Sequence, residues 1–158
     1  MAAMNEVNWL SAEEQRIWRS FLAATSLLQE RLDRDLQRRN GLTLVEYAIL
    51  VHLSEAEGRR MRMRSLADTV IVSKSRLSHQ VARLERDGYV RREDCMEDRR
   101  GFWAVLTDKG AEVLRAAAPG HVAQVRKYLF DQLSQAQTAE FGEIVTTVER
   151  RLRDSSSD

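Results

Sequence analysis

Residues 66–110 read LADTVIVSKSRLSHQVARLERDGYVRREDCMEDRRGFWAVLTDKG, and the part that decides the fold is SKSRLSHQVARLERDG, residues 73–88. At 100° per residue Leu77, Val81 and Leu84 fall within about 60° of one another, which predicts the buried stripe of a helix from Ser73 to Asp87. Ser73 is placed to cap its start and Gly88 to end it. The opposite side holds Ser75, His79, Ala82 and Arg86, flanked by Arg76, Ser78 and Arg83. That face is polar and basic with no acidic residue, whereas a merely solvated helix more often mixes Glu with Lys or Arg for i,i+4 support. Its hydroxyl, imidazole and guanidinium groups can donate to base edges and phosphates, and Arg76 or Arg83 has the fork to bond guanine bidentately. Ser73 and Lys74 stand at the front of the helix, where the dipole favours a phosphate.

Working outward, Tyr89–Glu93 and Phe102–Leu106 read as two short strands around a charged turn that contains Gly101. Upstream, Thr43 and Glu46 have capping-box spacing and open a helix through Tyr47, Leu50, Val51 and Leu53 that ends near Gly58. The arginine-rich RRMRMR, residues 59–64, then leads to a brief helix from about Ser65 to Val70. The order over residues 42–110 is helix, short helix, turn, helix, strand, charged turn, strand, which is that of a winged helix-turn-helix. Such a unit lays its second helix in the major groove, about 12 Å wide, while the hairpin reaches the neighbouring backbone or minor groove. At the tip, Arg99 and Arg100 suit a narrow minor groove, and Asp98 is placed to hold Arg100.

The flanks are helical too. Ser11 and Glu14 form a capping box for a helix whose apolar positions Ile17, Phe21, Ala24, Leu28, Leu32 and Leu36 recur to about Arg39, where Asn40-Gly41 stops it. Thr107 caps a helix to about Asp131, with a kink or break expected at Pro119-Gly120. Ser134 and Gln137 open the last helix, striped by Phe141, Ile144, Val145, Val148 and Leu152. Ser155 to Asp158 reads as a disordered tail. These stripes are longer than a small three-helix core covers, so burial against a second copy is expected. The fold expected is therefore mainly α with a small β-hairpin wing. Residues 42–110 form the winged helix-turn-helix, and residues 1–41 and 111–158 a helical dimerisation region.

The run from Leu66 to Gly110 resembles the DNA-binding core of the MarR family (multiple antibiotic resistance regulators). The family's wing carries an Asp-x-Arg signature, matched by Asp98-Arg99-Arg100, and its second wing strand leads into Leu-Thr-x-x-Gly, matched by Leu106-Thr107-Asp108-Lys109-Gly110. Resemblance in helix order extends from about Ser11 to Leu152. It implies a homodimeric transcription regulator, usually a repressor, acting on double-stranded DNA at a pseudo-palindromic operator. It also implies a small aromatic or phenolic anion as effector between the helical region and the winged unit, and Trp9, Trp18 and His52 are the candidate lining residues.

Composition sets the remaining bounds. Net charge is only +1, yet residues 59–100 carry twelve basic against seven acidic side chains, so a basic segment sits on a mildly acidic body. That asymmetry suits a surface turned to phosphates. The single cysteine, Cys95, excludes an internal disulfide framework and points to a reducing, cytoplasmic setting. It sits among charges of both signs and is not read as a redox switch. No secretory leader and no run of about 18 apolar residues is seen, so no membrane partner is expected. Neither G-x-S-x-G, H-E-x-x-H, a phosphate-binding glycine loop nor CxxC occurs, and the three histidines are scattered, so no enzyme activity, cofactor or metal site is expected. The competing reading is a helical protein-interaction module without DNA binding. It accounts for the long apolar helices but not for the basic strand-turn-strand.

Overall fold

Side-chain caps decide where the long helices begin. A computed structural model of the chain describes residues 7–95 and 101–155. Ser11 opens α1 (Ala12–Asn40) reciprocally: its Oγ accepts the Glu14 N–H at 3.2 Å, and Glu14 Oε2 accepts the Ser11 N–H at 2.7 Å. Thr43 with Glu46 does the same for α2 (Leu44–Glu55), and Ser134 with Gln137 for α6 (Gln135–Asp154). Gly41 ends α1 in the left-handed region, at φ 69°, where a side chain is disfavoured.

Between α2 and α6 lie β1 (Arg60–Arg62), α3 (Met63–Val70), α4 (Lys74–Arg86), β2 (Val90–Asp94), β3 (Phe102–Leu106) and α5 (Asp108–Tyr128). The strands make one antiparallel sheet in the order β1-β3-β2, with Arg62 opposite Trp103 and Glu93 opposite the same Trp103 on the other side. The two-stranded expectation is therefore one strand short. Residues 60–62 alternate, Met61 packing on the core while Arg60 and Arg62 lie 4.7 and 5.3 Å from the Trp103 ring centroid on the other face.

The expected interruption of α5 is also corrected: the helix runs unbroken through Pro119. Pro119 and Arg115, whose carbonyl loses its partner to the missing N–H, are both exposed, so water can satisfy the carbonyl. Ala117, two residues before the proline, is buried in the core. Its end comes at Tyr128, short of Asp131, followed by a 3-10 turn over Phe130–Gln132. Ser155 closes α6 by donating to the Arg151 carbonyl at 2.8 Å; the rest of the expected tail lies outside the described residues.

The core lies where α2, α3, α4 and the sheet meet, with Ile49, Leu50, Leu53, Leu66 and Val81 wholly enclosed. Each such side chain contributes about 1.5–3 kcal/mol by leaving water. The C-terminal half of α1 joins it through Leu32 and Leu36, whereas Ile17 and Phe21 in the N-terminal half stay 60% and 48% exposed. α6 buries no residue within the chain.

Candidate nucleic-acid interface

α4 is held to the core by what it buries. Leu77, Val81 and Leu84 face the core at 1% exposure or less, as the periodicity predicts. Ser73 caps the helix by accepting the Arg76 N–H at 3.2 Å, and Gly88, at φ 79°, lets the Tyr89 N–H return to the Leu84 carbonyl at 2.8 Å. Lys74, Ser75, Arg76, Ser78, His79, Ala82 and Arg86 are thereby left in solvent. No acidic residue stands in the first turn. Among the described residues, the side chains of Arg76 and His79 hold no hydrogen bond or ion pair, while Arg86 pairs with Asp87 at 3.2 Å. The dipole's positive end, a free guanidinium and an imidazole thus share one open surface.

Arg83 sits differently. It is half-buried on the flank of α4, and its Nε lies 3.3 Å from Oε1 of Glu46, a carboxylate at 2% exposure. Glu46 Oε2 also accepts the Thr43 N–H at 2.8 Å, and the Thr43 hydroxyl donates to Gln80 Oε1 at 3.3 Å. Asp33 of α1 accepts the Leu44 N–H at 2.8 Å. Glu46 was visible in the sequence only as a capping residue; nothing local signals its ionic partner on α4.

The wing is tied to this helix. Arg92 on β2 donates through Nη2 to the Ser78 carbonyl at 3.0 Å, and its backbone N–H donates to Glu85 Oε1 at 3.2 Å. At the far end Thr107 Oγ1 donates to the Gly88 carbonyl at 2.7 Å and accepts the Gly110 N–H at 3.0 Å. Lys109 Nζ donates to the Asp87 carbonyl at 2.8 Å. Asp98, Arg99 and Arg100 lie outside the described residues. Cys95 is buried, its N–H donating to the Gly101 carbonyl at 3.1 Å, which leaves its thiol shielded from oxidants.

A separate open groove of about 1300 Å³ runs between α1, the α3–α4 turn and α6, lined by Ile17, Trp18, Phe21, Ile71, Ile144 and Val148 among others. Small-molecule sites are about 300–1000 Å³, so one small ligand does not fill it. Of the three residues expected to line an effector site, Trp18 is here, stacked on Phe21 at 6.1 Å, but Trp9 and His52 are not. Trp9 is 82% exposed and His52 is half-buried near the end of α2. Among the described residues no acidic, His or Cys group of metal-ligating size occurs, and no helix is long and apolar enough to cross a membrane.

A family model described as the MarR family matches residues 40–101. The chain is similar to Sco3205 of Streptomyces coelicolor, a MarR family transcriptional regulator whose crystal structure is in complex with DNA. They share 52% identity with a TM-score of 0.89, over 94% of this chain and 92% of that one. AbsC of the same organism, also a MarR family regulator, superposes with a TM-score of 0.86 at 47% identity, over 94% and 99% of the two chains. The transcriptional regulator HosA of Escherichia coli is 30% identical over 101 residues, which span 64% of this chain and 73% of HosA.

Proposed function

Because the chain belongs to the MarR family of transcriptional regulators, which are not enzymes, we propose that it binds double-stranded DNA as a homodimer and represses transcription from a pseudo-palindromic operator. The observation that carries this is the open face of α4, where Lys74, Ser75, Arg76, Ser78, His79 and Arg86 stand in solvent on a helix whose other side is locked into the core. Such a face fits the major groove, and Ser73 at its front suits a phosphate. A complex of the similar Sco3205 with DNA supports the reading.

Residues 42–110 are the DNA-binding unit, in which Arg99 and Arg100 serve the adjacent minor groove and Asp98 holds Arg100. Residues 1–41 and 111–158 are the dimerisation region, α1 and α6 offering the apolar surface that a second copy would cover. A two-fold pair sets two α4 helices on half-sites about 34 Å, one helical turn, apart. The effector of this reading is a small aromatic anion, for which Trp18 stacked on Phe21 supplies an aromatic wall in one part of the groove. Such a ligand regulates only by preferring the arrangement of the two copies that cannot span adjacent half-sites. The site of action in this reading is the cytoplasm.

The deciding experiment selects duplexes from a random-sequence pool and measures affinity for the enriched duplex against a scrambled one as salt rises. A regulator enriches a two-fold sequence and loses affinity steeply with salt; an interaction module enriches none.

A further inference from the structure

We infer that Glu46 and Arg83 form a positioning pair that sets the roll of α4 about its axis, so that Arg83 serves DNA recognition through Glu46 and not by reading a base. The inference rests on the DNA-binding reading above.

The apolar stripe of α4 holds the helix to the core, but apolar burial has no direction of its own. Directional contacts come from two sides: Arg92 of β2 holds the Ser78 carbonyl and Glu85, and a second set faces α2. Gln80 and Arg83, one turn apart, meet Thr43 and Glu46, the two halves of the capping box that starts α2. Glu46 is buried with both carboxylate oxygens engaged, one on the Thr43 N–H and one on the Arg83 guanidinium. A buried carboxylate is costly to leave unpaired, so the pair resists any rotation that separates it. Turning the Nε edge of Arg83 to guanine would strand Glu46 in that state. The start of α2 is in turn held by Asp33, so the setting of α4 is referred to α1. The gain for recognition is indirect: Arg76, Ser75 and His79 share the helix with Arg83, and a few degrees of roll moves their tips relative to base edges.

The test is a double-mutant cycle on the full chain, using the duplex that the wild type enriches and a scrambled duplex of equal length. Glu46→Gln keeps an oxygen for the Thr43 N–H, and Arg83→Met keeps length without charge. Each alone is expected to lower the ratio of specific to scrambled affinity about tenfold, and the double variant no further, because one coupled unit is lost in all three. Arg83→Lys, which keeps a charge beside Glu46, is expected to stay within about threefold of wild type, although lysine lacks the fork for guanine. It also keeps the question answerable if the uncharged variants do not fold. A loss with Arg83→Met and Arg83→Lys but not with Glu46→Gln means that Arg83 reads a base, and overturns the inference. Unchanged ratios with lowered thermal stability overturn it as well, leaving a purely structural pair. If the wild type enriches no duplex, the DNA-binding reading falls and this inference with it; if it does and the cycle is additive, only this inference falls.

Discussion

The imidazole of His121 on α5 lies against the ring of Tyr47 on α2, with centroids 4.3 Å apart and planes tilted by 42°. Its Nδ1 is buried without a hydrogen-bond partner among the described residues, beside a small void also lined by Asp35, Arg39 and Gln124. Burial disfavours the charged form and holds His121 below the ordinary 6.5 of an imidazole.

A pH dependence with a definite sign follows. Below pH 6.5 the unfolded chain takes up a proton at His121 that the folded chain resists, so this contribution is full above that pH and is lost as pH falls through the folded value. His121→Phe removes the term and keeps a ring against Tyr47. Urea denaturation between pH 5 and 8 should show wild type losing stability on acidification faster than the variant; parallel curves would discard the account.

Gly110 answers to a different constraint. A Cβ there would lie 2.1 Å from the Tyr89 carbonyl oxygen, in backbone that cannot swing aside, because that carbonyl accepts the Thr107 N–H at 3.1 Å. The Leu-Thr-x-x-Gly run thus has a mechanical reason: threonine caps α5 and glycine lets its first turn touch the strand entry. Gly110→Ala should cost about 3 kcal/mol or more, read as a lower denaturation midpoint. A loss near 1 kcal/mol would mean that the turn relaxes more freely than this packing allows.

Much of the fold is legible because its signals are local. Ser11 with Glu14, Thr43 with Glu46 and Ser134 with Gln137 each need only residues three apart, and the α4 stripe needs only its own period. What escapes the sequence depends on distant partners. Arg60–Arg62 reads as a basic linker until Trp103 supplies the face on which its arginines lie. Arg83 reads as one more cation of an open face until Glu46, far upstream, claims it. Pro119 reads as a break because its lost hydrogen bond is a local signal, while the exposure that makes the loss tolerable is not.

Arg76 and His79 carry the sharpest prediction about contact with DNA. Both are exposed and hold no side-chain partner among the described residues, so truncation should leave stability within about 0.5 kcal/mol of wild type. Arg76→Ala should weaken binding to the enriched duplex about tenfold or more. The salt dependence then sorts the contact: a slope unchanged from wild type marks a base contact, and a slope reduced by about one marks a phosphate contact. Wild-type affinity in both Arg76→Ala and His79→Ala would remove α4's open face as the reading surface.

On α6, Ile144, Val148 and Leu152 are 61%, 51% and 65% exposed, and across the groove Ile17, Trp18 and Phe21 of α1 are about half exposed or more. Left in water, such a surface favours association, and a two-fold partner contributes the same helices in return. Placing carboxylates at its centre, as in Ile144→Glu with Val148→Glu, touches no residue of the core. Helical circular dichroism should therefore be retained while light scattering reports a monomer. Operator affinity should then fall roughly 100-fold or more, because a single α4 loses the second half-site's effective concentration. A double variant that stays dimeric would assign the groove to something other than a second copy. One that becomes monomeric yet binds as tightly as wild type would separate assembly from DNA binding and end the half-site argument.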